Sequence, residues 1–339
     1  MRSTFRDLGL QAQLERDGYA VVRLLDDDEV ATLKGSFERL GSAPGDPHLA
    51  CHSSFHSYDG SYKRQVDQTV RSALEPHLAR VLDRQRMLPC NFIVKWPGAH
   101  SGFGLHQDLS LVDERHHRSV EVWVALDRTT EENGQLWFAP GSHRWLPHHI
   151  RGIQAFPFPF VDVTRRIIER HSRPVPLEPG EAVVFDHATL HFSLPNRSDR
   201  PRLVAIADVI PQEAAHLHYF GGLDGRPEVY EIDDDFWTEN NPFTLGRAPA
   251  GARRLGPVDA EYRSLTDADL DRLVAEAWAI ESDRRPAGAI NAARPWCHRC
   301  GSSDVDRDRP DRWIGNVTLL CGPCAESEAS RALGTPIAS

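Results

Sequence analysis

Near the N-terminus, the apolar and polar positions follow a helical pattern. Asp26, with Glu29 three residues later, has the form of a capping box and predicts a helix that runs to about Leu40. One face of that helix is apolar at Val30, Leu33, Phe37 and Leu40. A preceding helix is expected to end at Gly18 before a strand, and a further helix is expected over roughly 67–84. Residues 41–66 are rich in Gly, Pro, Ser and His and predict a loop.

From about residue 90 the pattern changes to short strands. The predicted strands are Phe92–Trp96, Ser119–Leu126, Gln135–Ala139, Ala182–Phe185 and Arg202–Ile210. Turn residues such as Pro97-Gly98 and Asn133-Gly134 separate them. This spacing favours an antiparallel barrel or a double-sheet roll, so the predicted fold class is mainly β with flanking α-helices.

Beyond residue 211 the pattern is irregular. Glu231–Phe243 is predicted to be an ordered loop or lid, and Thr266 can cap a helix that runs to about Glu281. The expected domains are an enzyme domain over 1–282, with a core at about 90–212 and a lid or helical extension over 213–282, a linker over 283–295, and a cysteine module over 296–325.

Composition narrows the class of protein. The net charge is −10, from 49 acidic and 39 basic residues, which argues against a nucleic-acid binder. No run approaches the roughly 18 apolar residues of a membrane span, and the N-terminal residues lack the apolar core of a signal peptide. Four of the six cysteines form two Cys-x-x-Cys pairs, which fits metal binding in a reducing cytoplasm. A cytoplasmic location is therefore expected.

The triplet His106-Gln107-Asp108 carries the clearest chemical signal. Two residues apart on a strand, His106 and Asp108 would point to the same face. A distant second histidine would complete a two-histidine, one-carboxylate triad, which holds Fe(II) and leaves coordination positions open. The chain offers several candidates for that histidine: His143, His187, His191, His216 and His218.

Four sequence blocks in order resemble the phytanoyl-CoA dioxygenase family, from about residue 12 to 210. The blocks are His106-Gln107-Asp108, Trp123–Asp127, Asn133-Gly134 through His143, and Gly180–Ser198. The resemblance implies a double-stranded β-helix of the jelly-roll or cupin type. It also implies His106, Asp108 and His191 as iron ligands, since Phe192-Ser193, Asn196 and the spacing to Arg202 match the family. His187 is then expected beside the site or facing substrate, and His143 is expected to be structural.

The same resemblance implies that Arg202 binds the distal carboxylate of 2-oxoglutarate, with Ser193 as a second donor and Trp123 lining the pocket. The sequence supports Arg202 independently. Its same-face neighbours on the predicted strand are Val204 and Ile206, and an arginine on an apolar face needs a charged partner. Lys95 and Arg197 are alternative carboxylate holders.

The family implies a hydroxylase that uses Fe(II), 2-oxoglutarate and O2 and releases succinate and CO2. Halogenation is disfavoured because Asp108 takes the position that a halide would need. The expected substrate is a small molecule, such as an amino acid or a natural-product intermediate. Five residues are placed in its pocket by position alone: Lys95, His100, Phe103, Trp137 and Phe220. The alternative is a catalytically inactive barrel that binds metal and a protein partner.

A second metal site is predicted near the C-terminus. Cys297, Cys300, Cys321 and Cys324 have the spacing Cys-x2-Cys-x20-Cys-x2-Cys, which is typical of a zinc ribbon. A rubredoxin-like iron site is the alternative. A structural Zn(II) is expected, in a module that acts as a cap, a contact in a homo-oligomer or a docking element for a protein partner.

Overall fold

The structure is a computed structural model. It describes residues 1–41, 51–152, 158–221, 227–240, 251–258 and 263–279, together with the backbone of 313–314 and 318–319. The four cysteines of the predicted zinc module lie outside the described residues, as do residues 283–295.

Three of the helices lie in the N-terminal third of the chain, and three lie beyond it. They are α1 (Leu8–Asp17), α2 (Asp27–Leu40), α3 (Gly60–Val81), α4 (Thr164–Arg166), α5 (Phe236–Glu239) and α6 (Asp267–Ala279). The predicted capping box at the start of α2 is confirmed, because Asp26 accepts a hydrogen bond from the Glu29 amide and Glu29 accepts one from the Asp26 amide. No helix within these described stretches is both long and apolar enough to cross a membrane.

Most of the strands lie between residues 85 and 257. They are β1 (Tyr19–Arg23), β2 (Cys51–Ser53), β3 (Gln85–Lys95), β4 (Phe103–His106), β5 (Val120–Ala125), β6 (Leu136–Phe138), β7 (Arg173–Val175), β8 (Glu181–Asp186), β9 (His191–Ser193), β10 (Arg202–Pro211), β11 (Leu217–Gly221), β12 (Pro227–Glu231), β13 (Arg253–Pro257), β14 (Trp313–Ile314) and β15 (Thr318–Leu319). A mainly β fold is thereby confirmed.

Two antiparallel sheets pack face to face. The larger has the order β1-β8-β5-β10-β3-β2, and the smaller has the order β4-β9-β6-β7. Alternation along each strand sends one set of side chains between the sheets, where Trp123, Phe185 and Ile206 of the larger sheet meet Phe138 of the smaller. The other face of the larger sheet packs against α1, α2 and α3. The space between the sheets therefore receives inward side chains from both.

Two sequence predictions need correction here. The helix expected over 67–84 begins at Gly60 and ends at Val81, so part of the predicted loop over 41–66 is helical and another part forms β2. The irregular region predicted beyond residue 211 contains an ordered three-stranded sheet, β11-β12-β13. The helix predicted from Thr266 is confirmed as α6.

Candidate metal and co-substrate site

Two histidines and an aspartate meet at one end of the smaller sheet. His106 ends β4 and His191 begins β9, and these cross-strand partners have ring centroids 4.1 Å apart. One carboxylate oxygen of Asp108 lies 3.7 Å from His106 Nε2, and the other lies 3.7 Å from His191 Nε2. In the part of the chain that the structure describes, this is the one group of three or more His, Cys, Asp or Glu side chains whose ligand atoms all lie within 4.8 Å of one another.

The hydrogen bonds of both imidazoles suit a metal. His106 Nδ1 lies 2.8 Å from the Gly104 carbonyl oxygen, and His191 Nδ1 lies 3.0 Å from the Thr189 carbonyl oxygen. A carbonyl can only accept, so each Nδ1 carries the proton and donates it. The lone pair of each Nε2 is then directed toward Asp108, which is the arrangement that a metal-binding histidine needs.

Burial sets the charge of this group. It lowers the pKa of His106 and of His191 to about 4, so both imidazoles are neutral at neutral pH. Burial also raises the pKa of the Asp108 carboxyl. Neutral imidazoles and a carboxylate enclosed by protein are the donors that a divalent cation binds, and the cation offsets the cost of the buried charge. The residues present therefore fit a metal ion.

Asp108 reaches this position from a loop. The expectation that His106 and Asp108 share one strand is wrong, because β4 ends at His106. The loop is fixed by its backbone: the Asp108 amide donates to the His187 carbonyl at 3.0 Å, and Arg151 Nε donates to the Asp108 carbonyl at 2.7 Å. Gln107 turns the other way and donates to the Ala188 carbonyl.

Two buried cations lie side by side between the sheets. Arg202 and Lys95 are direct cross-strand partners on β10 and β3 and are 2% and 0% exposed. Burial lowers the pKa of Arg202 to about 10, and burial together with the Arg202 charge lowers the pKa of Lys95 to about 7. Neither side chain forms a salt bridge with a carboxylate of the described residues. Such a pair needs an anion to offset its charge.

Residues that the sequence analysis predicted for the co-substrate pocket contact this cation pair. Lys95 Nζ donates to Ser193 Oγ at 2.5 Å and to the Leu194 carbonyl at 2.7 Å. The Arg202 guanidinium lies 4.9 Å from the Trp123 ring centroid and donates to the Gly134 carbonyl, while its Nε has no hydrogen-bond partner among the described residues. Ser193, Trp123 and Arg202 are thus brought together as expected.

The other histidines have separate places. His187 is buried and bonds Ser119 and Asp208, and its backbone carbonyl accepts from Asp108. His143 lies against the Glu15 carbonyl at 3.3 Å, away from the triad. His216 directly precedes β11 and His218 lies within it, where His218 packs against Trp237 and Phe236.

Three of the residues expected in a substrate pocket can now be placed. Phe103 is half exposed, and its ring centroid lies 4.5 Å from that of His106. Trp137 stacks on Phe192 in a cluster on the outer face of the smaller sheet, so its placement in the pocket is wrong. Phe220 belongs to the apolar cluster of the third sheet.

Sequence reasoning missed Glu121 and Arg151. Glu121 lies two residues before Trp123 on β5, hence on the inward face, within a strand that is otherwise almost entirely apolar. A charged residue at an inward position of such a strand was the signal. Arg151 gave no signal, because its partners Glu114 and Asp108 are distant in sequence.

A match to the phytanoyl-CoA dioxygenase (PhyH) family covers residues 14–204, more than half of the chain. The chain belongs to the phytanoyl-CoA dioxygenase family. Members of this family are Fe(II)/2-oxoglutarate-dependent oxygenases, so the protein is an enzyme of that class. The match spans β4, β5 and β9 and ends just inside β10, so it includes every residue of the triad and of the cation pair.

The chain has low sequence identity to individual proteins of known function. The chain is 28% identical over 215 residues to phytanoyl-CoA dioxygenase domain-containing protein 1 of Danio rerio, covering 59% of this chain and 72% of that protein. It is 31% identical over 109 residues to methylphosphonate hydroxylase of Gimesia maris, covering 32% and 38%. The chain thus spans well under half of the second relative's length.

The solved structures that the chain matches include EvdO2 from Micromonospora carbonacea complexed with 2-oxoglutarate. The identity is 21%, the TM-score is 0.42, and the match covers 63% of this chain and 94% of that one. Another is the epimerase SnoN in complex with Fe3+, alpha ketoglutarate and nogalamycin RO, at 22% identity, a TM-score of 0.46, and coverage of 77% and 96%. Identities and TM-scores this low do not assign a substrate to this chain.

Proposed function

We propose that the protein hydroxylates a C–H bond of a small molecule, with His106, Asp108 and His191 holding Fe(II). The two packed sheets would correspond to the double-stranded β-helix expected from the family. Bound iron would supply the oxygen chemistry and leave positions open for 2-oxoglutarate and O2. The reaction would release succinate and CO2.

The observation that carries this proposal is the pair of buried cations. Arg202 and Lys95 point into the same interior as the triad, and neither has a carboxylate partner among the described residues. The distal carboxylate of 2-oxoglutarate would supply the missing anion, with Ser193 as a further hydrogen-bond donor. A planar guanidinium binds a carboxylate through two parallel hydrogen bonds, which fixes its orientation.

The chain contributes positioning and a dry environment. The carbonyls of Gly104 and Thr189 hold the two imidazoles in the tautomer that offers Nε2. Aromatic rings cover His191: Phe138 stacks on it with centroids 5.5 Å apart, and Phe185 meets it edge-on at 4.8 Å. These rings exclude water from one side of the site, which strengthens the electrostatic interactions inside it.

An inactive protein that only binds metal and a partner is the less supported alternative. An inactive protein would have no need to keep two buried, unpaired cations beside an intact triad, since each buried charge lowers stability. The substrate is proposed to be an amino acid or a natural-product intermediate.

Replacing Arg202 with Ala tests the proposal. A charge-assisted contact contributes about 1.5–3 kcal/mol, so the dissociation constant of 2-oxoglutarate should rise about 10- to 150-fold. Calorimetry with Ni(II) in place of Fe(II) measures this without turnover, and Arg128→Ala, at an exposed surface ion pair, is the control. Unchanged affinity in Arg202→Ala would remove the co-substrate assignment. Succinate formation by Asp108→Ala at the wild-type rate would remove the metal assignment.

A further inference from the structure

The end strands β2 and β4 lie at the same side of the space between the two sheets. Strand β3 lies across from β9, because Lys95 Nζ contacts Ser193 Oγ, and β8 lies across from β6, because Phe185 packs on Phe138. In the larger sheet β2 is the next strand beyond β3, and in the smaller sheet β4 is the next strand beyond β9. The two end strands therefore flank one side of the interior.

Phe103 on β4 shows that solvent reaches this side. Its cross-strand partner is Ser193, so its side chain points to the same inward face, where its ring contacts that of His106 with centroids 4.5 Å apart. Phe103 is nevertheless 52% exposed. The interior is thus open to small molecules between β2 and β4, next to the proposed iron ligands.

Asn91 on β3 is a buried polar side chain near this opening. Phe92 packs toward the helices, so its neighbours Asn91 and Ile93 point between the sheets. Asn91 is 4% exposed, and its Oδ1 accepts a hydrogen bond from Ser53 Oγ of β2 at 2.9 Å. Its Nδ2 forms no hydrogen bond with any described residue, yet protein atoms do not fully enclose it, in contrast to Arg202 Nε. A buried donor without an acceptor lowers stability, so this nitrogen is suited to a ligand.

Asn91 lies to one side of the position expected for 2-oxoglutarate. Asn91 and Trp123 are cross-strand partners of Ile206 on its two opposite sides. The Arg202 guanidinium lies 4.9 Å from the Trp123 ring centroid, whereas Asn91 lies on the side of β2. Along β3, Asn91 is four residues from Lys95, which is about 14 Å at about 3.4 Å per residue. A molecule as short as 2-oxoglutarate that docks on the cation pair therefore leaves Asn91 to another ligand.

The surroundings of Asn91 favour a neutral ligand. An amide N–H only donates, so the group that it binds must be an acceptor. The inward neighbours Ile93 and Ile206 are apolar, and the next inward residue of β10 is Asp208, whose carboxylate binds His187. An anionic acceptor at Asn91 would have no counter-charge, which makes its burial costly. A neutral oxygen, of a carbonyl or a hydroxyl group, avoids that cost.

We propose that Asn91 binds the substrate by donating a hydrogen bond to a neutral oxygen, so that the enzyme oxidises an uncharged, oxygen-bearing molecule. This inference rests on the proposed function, because it assigns the substrate class of that same site. Of the two classes named there, it favours a natural-product intermediate over an amino acid, whose ends are both charged. Asn91 is then a specificity-determining residue, and the substrate enters between β2 and β4.

Two neutral ring probes test this inference: cyclohexanone, whose oxygen only accepts a hydrogen bond, and cyclohexanol, whose hydroxyl also donates one. Each is titrated into the enzyme loaded with Co(II) and 2-oxoglutarate. Paramagnetic relaxation of the probe protons reports binding close to the metal and ignores binding elsewhere. The wild-type enzyme should bind both probes, and a wild-type enzyme that does not relax cyclohexanone would overturn the inference.

The variant Asn91→Asp keeps the size of the side chain and replaces the donor with an acceptor. It should weaken cyclohexanone at least about fivefold, because the ketone oxygen would then face another oxygen. Cyclohexanol should be retained, because its hydroxyl can donate to the carboxylate. A purely structural role of Asn91 would change both affinities alike, so an equal loss of both probes, or no loss of cyclohexanone, would contradict the proposal. Gln68→Glu makes the same chemical change at an exposed position of α3 and is the control.

The variant Asn91→Leu, of similar size and without a polar end, keeps the test available if the aspartate variant does not fold. Both probes should bind it about fivefold more weakly, and wild-type affinity for cyclohexanone would refute the role of Asn91. Binding of 2-oxoglutarate is measured first, by calorimetry on the Ni(II) enzyme. Its failure in the wild-type protein refutes the proposed function. Its loss in Asn91→Leu alone would show that Asn91 holds the co-substrate, which refutes only this inference.

Discussion

At the scale of single residues, Lys95 links the charge of the interior to co-substrate binding. Its ammonium group is buried, and burial together with Arg202 lowers its pKa to about 7. An anion placed beside it raises that pKa again, because an opposite charge favours the protonated form. Binding of 2-oxoglutarate and protonation of Lys95 are therefore coupled.

The sign of this coupling predicts a pH dependence. Below pH 7 Lys95 is already charged and the affinity for 2-oxoglutarate is highest. As pH rises above 7, binding must take up a proton, so the affinity should fall by up to about tenfold per pH unit. Calorimetry on the Ni(II) enzyme between about pH 6 and 9 checks this. Lys95→Met should bind more weakly and without that dependence, and an equally steep fall in Lys95→Met would refute the assignment to Lys95.

Gly134 illustrates how tightly the cation pair is packed. Its φ is +78°, and a Cβ at this position would lie 2.2 Å from the Leu194 carbonyl oxygen and 2.9 Å from Lys95 Cδ. Gly251 has a similar φ of +81° and, among the described residues, no atom within 4 Å of an added Cβ, so Gly251→Ala measures the cost of the backbone conformation without a clash, about 1–2 kcal/mol. Gly134→Ala should lower the free energy of unfolding further and weaken 2-oxoglutarate binding. Equal urea midpoints for the two variants would contradict this.

At the scale of elements, the sequence predicts a helix or strand correctly where the residues that begin and end it lie within that segment. The cap at Asp26 predicted the start of α2 because both partners lie within one turn. The sequence pattern predicts the start of α3 seven residues late, because Asp59 caps the helix at Gly60 whereas its buried apolar positions begin only at Val66. The third sheet was missed because its strands become ordered only by pairing with one another.

The loop after β4 is held in part by one buried arginine. Arg151 donates to the Asp108 carbonyl and binds Glu114 through two hydrogen bonds. Lysine keeps the charge and loses the planar fork, so Arg151→Lys should leave Asp108 less well positioned and weaken metal binding about 10- to 100-fold. Titration with Co(II), followed by its visible spectrum, measures this, with Arg128→Lys as the control. Wild-type Co(II) affinity in Arg151→Lys would show that the loop holds Asp108 without this arginine.

At the scale of the whole molecule, the sheets join residues that the sequence keeps far apart. His106 and His191 became a candidate pair through the family resemblance, since spacing alone left five histidines open. Arg202 could be singled out from its own strand because its same-face neighbours are apolar. Its pairing with Lys95, and that of Glu121 with Asp208, depend on strand register, which no local pattern specifies.

The last prediction concerns the cysteine module over 296–325, which lies outside the described residues. Four thiolates and the two-histidine, one-carboxylate triad are different ligand sets, so the two sites should select different metals. In small thiolate modules, metal binding and folding are coupled. We expect one tightly held zinc per chain by elemental analysis, distinct from the iron. Cys297→Ser/Cys300→Ser should lose that zinc and the order of its own segment, while the packed sheets keep their melting temperature.

The informative comparison in this variant is between binding and turnover. The triad and the cation pair belong to the two packed sheets, so affinities for Co(II) and 2-oxoglutarate should stay at wild-type values when the zinc is lost. Turnover of substrate that fails while both affinities persist would show that the module contributes to the substrate pocket. Iron at the four cysteines of the unmodified protein would instead identify a rubredoxin-like centre and suggest that it delivers electrons.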